Sequence, residues 1–221
     1  GKYLTPKDCE ERAKEENHEN KIFYVTDEKE QSQYINMFKE SGQDALILPH
    51  NIDNPFIGRL EQKHENLKFF RIDADVNETM KEEVAEEDKE SFKKTEETLT
   101  EVFRKALGDD KLQVKVEKLK NESISSMITV SEESRRMQEM MKMYNMYGMD
   151  PSMFGGSGQV LILNANNNLV QYVLEHGEGE NTAKICEQLY DLALLSHGSL
   201  TPERMTNFIA RTNEIMGMLA K

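Results

Sequence analysis

Three short apolar runs constrain this chain most: Ile22-Phe23-Tyr24-Val25, Ala45-Leu46-Ile47-Leu48 and Lys68-Phe69-Phe70-Arg71-Ile72. Runs of this length, rich in β-branched and aromatic residues, read as strands. Between the first two, Tyr34, Ile35 and Phe38 recur at helical spacing until Gly42, with Thr26 or Asp27 as the expected cap. Between the second and third, Asn54-Pro55 opens a short helix through Phe56, Ile57 and Leu60. Strand, helix, strand, helix, strand predicts a parallel βαβαβ layer with right-handed crossovers, a small three-layer α/β unit. Ahead of it, Thr5-Pro6-Lys7-Asp8 has the form of a helix start: a cap, a first-position proline and a capping-box acid.

An acidic stretch follows, with nine acids and two lysines from Asp73 to Glu90. Such a run reads as a solvated linker or helix face, which puts a domain boundary near Asn77 and divides the chain into 1–77 and 78–221. The second part reads as a mixed α+β domain. Phe92, Leu99, Val102, Phe103 and Ala106 trace a long helix ending at Gly108. Leu112, Val114 and Val116 alternate with polar residues as a half-buried strand does. Ile124 to Val130 is a second strand, and Asn121-Glu122-Ser123 suggests that the two form a hairpin or meander.

Charge narrows the function classes. The chain of 221 residues carries 28 basic and 41 acidic side chains, a net charge of −13. That argues against sequence-independent nucleic-acid binding, which needs a basic footprint, and against docking on anionic membranes. No apolar run approaches the roughly 20 residues of a membrane span, and no signal peptide opens the chain. Cys9 and Cys186 stand in no motif, so a reducing cytoplasm is the expected compartment. Gly1 in place of Met reads as a cleavage scar, so a piece of a longer protein is expected.

The chemistry-bearing patterns are few. Seven of the thirteen methionines lie between Met137 and Met153. Ser131 is a good cap for the helix they would line, and Met137, Met140, Met141 and Tyr144 form one stripe that Met143, Met146 and Tyr147 widen. Three readings stand: core packing by adaptable side chains, a compliant surface for varied partners, and Cu(I) binding by thioethers. No glycine-rich turn follows the first strand, so nucleotide binding by the α/β unit is disfavoured. Gly155 to Gly158 precedes a strand-like run, Val160 to Leu163, and lacks the lysine of a phosphate-binding loop. The five histidines show no metal-ligand spacing, and no catalytic arrangement is evident.

The last forty residues read as two amphipathic helices. Ile185, Leu189, Leu192 and Ala193 form one stripe, ended by Gly198; Thr201-Pro202-Glu203 starts the next, with Met205, Phe208, Ile209, Thr212, Ile215, Met216 and Leu219 at helical spacing. One helical hairpin leaves an apolar face to be covered, either by its own domain or by a second copy in a four-helix bundle.

These residues also carry a resemblance. Ile22 to Asp27 with Glu28-Lys29 and Gln31-Ser32, then Asp44 to Leu48 and Ile52-Asp53, resembles the end of the middle domain of the ninety-kilodalton heat-shock chaperones. Leu194-Leu195-Ser196-His197-Gly198-Ser199-Leu200 and Phe208-Ile209-Ala210-Arg211-Thr212-Asn213 are similar to the C-terminal dimerisation domain of that family, the bacterial members fitting best. The resemblance implies a cytoplasmic, ATP-driven chaperone whose ATP and Mg site lies outside this chain, so that the chain itself is not an enzyme and holds no cofactor. It implies a homodimer contact through Leu189, Leu192, Ala193, Phe208, Ile209, Thr212, Ile215, Met216 and Leu219. It implies client contact through Met140, Met143, Tyr144, Met146 and Tyr147 and, on the first unit, Phe56 and Ile57. The partners expected are a second copy and unfolded or partly folded proteins. The rival readings are an α/β nucleotide-binding or signalling module and a methionine-rich Cu(I)-binding protein.

Overall fold

A computed structural model describes residues 5, 7–8, 11, 21–64, 67–76, 80–82, 84–131, 134, 158–177, 179 and 181–220. The chain divides into two units, Gly1–Asp75 and Val76–Lys221.

The first unit holds β1 (Lys21–Val25), α1 (Ser32–Glu40), β2 (Leu46–Ile47), α2 (Asp53–Lys63) and β3 (Lys68–Arg71). The sheet order is β2-β1-β3 and both pairings are parallel, as the strand–helix alternation predicts. Period-two alternation along β1 explains the layering. Ile22 and Tyr24 join Ile57, Leu67 and Phe69 in one buried cluster, while Phe23 meets Phe38 of α1 edge-on at 5.0 Å. The helices therefore cover opposite faces of the sheet. Thr5 and Asp8 form the expected capping box: the Thr5 N–H donates to Asp8 Oδ2 at 2.7 Å and the Asp8 N–H to Thr5 Oγ1 at 3.3 Å.

Two details differ from expectation. The second strand is only two residues long, because Leu48 leaves the ladder after one further bond to the Val25 carbonyl. Neither Thr26 nor Asp27 caps α1. Asp27 Oδ1 instead accepts from the Lys29 and Glu30 N–H groups at 2.8 and 3.0 Å. Gln31 turns its amide oxygen back onto the N–H groups of Thr26 and Asp27, so the helix starts only at Ser32.

The second unit holds α3 (Lys89–Leu107), β4 (Gln113–Glu117), β5 (Ser126–Val130), β6 (Gln159–Asn164), α4 (Asn168–Glu175), α5 (Thr182–His197) and α6 (Pro202–Leu219). Gly108 stops α3 in the left-handed conformation, φ 64°, where a side chain is costly. The hairpin expected from the second and third apolar runs of this unit does not form. The order is β4-β6-β5, with β6 parallel to β4 and antiparallel to β5. Its residues Leu161, Ile162 and Leu163 are almost wholly buried, so β6 takes the centre that a direct β4–β5 pairing would have closed. Leu161 and Leu163 join Leu99 and Phe103 of α3, Val170 and Val173 of α4, and Cys186, Leu189 and Ala193 of α5 in one core.

The acidic connector is also less solvated than its charge suggests. Asp73 is buried and bound by Arg71 through two bonds of 2.6 and 2.8 Å. Val76 and Met80 are buried, and Lys81 bridges to Leu119 and pairs with Glu117 at 3.1 Å.

Candidate functional site

The C-terminal hairpin of α5 and α6 is the candidate site. Its second helix starts as the sequence predicts: Thr201 caps α6, accepting from the Arg204 N–H, and Pro202 takes the first helical position. What joins α6 to α5 is a set of charges. Asp191, 2 % exposed, accepts from Arg204 Nε at 2.8 Å and also binds Arg211 Nη2. Arg211 further donates to Gln188 Oε1 at 2.9 Å and Glu187 Oε2 at 2.5 Å. Gln188 returns a bond to Thr212 Oγ1 at 3.1 Å, and Lys184 pairs with Glu214 at 2.6 Å. The Arg204 guanidinium lies 4.8 Å from the centre of the Tyr190 ring, and burial pushes the Tyr190 phenol up from its ordinary value. Arg211 is the buried residue of α6.

The nine positions expected at a dimer contact separate into two groups. Leu189 and Ala193 are buried in the core of their own unit, on the side of α5 that packs on α3 and the sheet. They hold α5 in place and present nothing outward. Leu192, Ile209, Met216 and Leu219 are exposed by 42, 52, 53 and 84 %, and Phe208, Thr212 and Ile215 are half-buried around them. A helix as long as α6 gains little from isolated propensity and depends on burying an apolar face. Among the described residues that face stays open.

On the first unit the two expected client positions also separate. Phe56 is 55 % exposed, while Ile57 is buried in the sheet core. Ile52, one helical turn before Phe56 on the same side of α2, is 73 % exposed, a partner the sequence reading missed. Met140, Met143, Tyr144, Met146 and Tyr147 lie outside the described residues. Ser131 does accept the Ser134 N–H at 3.2 Å, the bond expected of a cap there.

The turn after β1, where a parallel sheet would hold a phosphate, does not fit one. The N–H groups of Lys29 and Glu30 are occupied by the Asp27 carboxylate, and those bonds hold its carboxyl below the usual range. ATP, with Mg, would meet a carboxylate where it needs free donors. Among the described residues no group of His, Cys, Asp and Glu is arranged to hold a metal ion, and no helix is long and apolar enough to cross a membrane.

The described residues thus form a parallel three-stranded unit and a mixed unit that ends in a charge-zipped helical hairpin. A family model described as Hsp90 protein matches residues 2–220, and the chain belongs to that family. It is similar to the chaperone protein HtpG of several bacteria. The protein of Bacteroides fragilis strain YCH46 is 32 % identical over 198 residues, which is 84 % of this chain and 28 % of that relative. That of Bacteroides thetaiotaomicron is 34 % identical over 163 residues, 70 % of this chain and 23 % of the relative. That of Treponema denticola is 28 % identical over 208 residues, 88 % of this chain and 30 % of the relative. The chain thus spans between about a quarter and three tenths of the length of these curated relatives.

Proposed function

We propose that this chain is the end of the middle domain and the C-terminal dimerisation domain of a cytoplasmic, ATP-driven chaperone, and that it works by binding. Two copies join through α5 and α6, and each contributes part of a surface for unfolded or partly folded client proteins. The ATP and Mg chemistry belongs to the remainder of the longer protein. One observation carries the dimer reading: α6 buries an arginine while Ile209, Met216 and Leu219 stay in water, with Leu192 of α5 beside them in the sequence pattern. Along α6 the positions Met205, Ile209, Thr212, Met216 and Leu219 are spaced four, three, four and three, the seam spacing of paired helices. A second copy of the same seam is the occupant that such self-complementary spacing suits, giving a two-fold bundle.

Client contact rests on Ile52 and Phe56 and on the methionine stretch around Met140, Met143 and Tyr144. Each is a weak site. Joined in a dimer, two such surfaces gain from effective concentration without any new contact.

The test is the solution mass across a hundredfold dilution. Leu192→Glu with Ile209→Glu should give monomers with unchanged circular dichroism; an intact dimer in that variant removes the hairpin from the interface. Ile52→Ser with Phe56→Ser should weaken capture of a reduced, unfolded model protein while leaving the dimer whole. Undiminished capture removes that patch from the mechanism.

A further inference from the structure

Two stripes run side by side on α6. The outer one, Met205, Ile209, Thr212, Met216 and Leu219, is the proposed seam. The inner one, Arg204, Phe208, Arg211, Ile215 and Met218, repeats the same four-three spacing one residue out of step. The inner stripe is covered from Arg204 to Ile215: Arg204 and Arg211 bind α5, and Phe208 and Ile215 are half-buried, while Met218 at its end is 46 % exposed. The stripe against the protein carries two arginines, while Ile209, Met216 and Leu219 of the other stripe stay in water.

This arrangement has an obvious competitor. Turning α6 about its axis by one residue, about 100°, would lay Ile209 and Met216 on α5 in exchange for Phe208 and Ile215. The same turn would carry Arg211 away from Asp191, Glu187 and Gln188. Asp191 has 3 % of its side chain exposed, so it would be left as a buried carboxylate without these partners, a costly state. The competitor is penalised by charge alone.

We infer that the Asp191–Arg211–Arg204 cluster is a rotational lock: it holds α6 so that its apolar stripe faces outward, and so makes Asp191 and Arg211 specificity-determining residues for self-association. The inference rests on the dimer reading above. Buried ion pairs add little net stability compared with apolar replacements of similar volume, and fixing register is their best-attested use. Arg211 suits this role because its fork reaches Glu187, Gln188 and Asp191 together, and that set defines one rotation.

The test uses the full chain and four variants. Asp191→Leu with Arg204→Met and Arg211→Met replaces the cluster by apolar side chains. It should keep its helical circular dichroism and an equal or higher Tm, yet lose its single stoichiometry. Sedimentation velocity should show monomer and mixed species, and the apparent dimer Kd should rise at least about tenfold. Arg211→Lys retains a cation beside Asp191 and should stay one dimeric species. Should the triple variant lose its helix signal, Arg211→Met carries the test with the same readout, because Asp191 keeps Arg204. A triple variant with one dimeric species and a Kd within about threefold of the original overturns the lock; so does a lowered Tm with unchanged stoichiometry, which marks an ordinary stabilising bridge. Ile209→Glu with Met216→Glu separates the two ideas. If it is as dimeric as the original chain, or the original chain is monomeric, the seam itself is wrong and the lock falls with it. If it is monomeric while the triple variant is unchanged, only the lock fails.

Discussion

Asn164 offers the sharpest test of how the second unit is held together. It sits at the end of β6 and is fully buried. Its Oδ1 accepts from the Leu119 and Asn166 N–H groups, both at 3.0 Å, and its Nδ2 donates to the carbonyls of Asn121 at 3.1 Å and Ile124 at 2.7 Å. One side chain therefore ties the central strand to the connection between β4 and β5. Asn164→Leu keeps the branched shape and removes all four bonds. The Asn121 carbonyl retains the Ile124 N–H at 3.3 Å, so the loss falls mainly on the other three backbone groups. Each buried group deprived of its partner costs about 1–3 kcal/mol. With some water entry at this part-buried loop, about 1.5 kcal/mol each gives a loss of about 4–5 kcal/mol. At about 2–4 °C per kcal/mol for a unit of this size, Tm should fall by roughly 10–20 °C. Scanning calorimetry at matched concentration measures it, matched because association shifts Tm. A fall under about 3 °C would refute the hydrogen-bond accounting. Asn164→Asp adds a check on sign. Its ionised form would face two carbonyl oxygens, so folding would raise the carboxyl pKa. The deficit against the original chain should be full at neutral pH and shrink as pH falls through the carboxylate range.

Two further outcomes follow from single residues. Burial pushes the Cys186 thiol up from 9.0 to about 12. The native state therefore holds a proton that the unfolded chain releases between those values, and stability should decline as pH rises through that window. At pH 8 Cys186 should resist alkylation in the native protein and react in denaturant, read by peptide mass; fast native labelling would contradict its burial. Gly108→Ala should cost about 1 kcal/mol through its positive φ alone, since a Cβ there meets nothing within 4 Å. Gly108→Asn should cost less, and equal stability losses from urea melts would show that backbone conformation is not the cause.

The first unit was readable because its information is local. Each parallel strand is a contiguous apolar run, and the first helix between them carries its own stop at Gly42, so Lys21–Val25 and Lys68–Arg71 fall where the pattern puts them. The second sheet was not, because alternation in Gln113–Glu117 and Ser126–Val130 marks strands without naming their neighbour. The neighbour is β6, far along the chain. Helix α4 went unread although Asn167 caps it, accepting the Leu169 N–H, and Val170 and Val173 follow at helical spacing. At the candidate site the apolar stripes were legible but their allocation was not. Helix α5 is apolar on two sides, and only packing decides that Leu189 and Ala193 go inward while Leu192 goes outward. Arg211 was missed for a related reason. A charge inside an apolar stripe reads as solvent-facing until its acceptors, Glu187 and Asp191, are seen on another helix. The clue available was that Arg204 and Arg211 stand seven apart, two turns on one side of α6.

The place of β6 at the centre of the second sheet sets an order of events during synthesis. The first sheet is complete once residue 71 has left the ribosome, and its crossovers close short loops. The second cannot form in the same progressive way. Its two outer strands are made first and have no partner in each other, and both must wait until Gln159–Asn164 emerges. During that interval Ile128, Val130 and Val116, all buried in the finished fold, have no sheet to join. Late-closing, long-range pairing of this kind is slow and leaves apolar strands open to wrong contacts. A member of the chaperone family is thus itself, for part of its own synthesis, a chain with strands awaiting a partner.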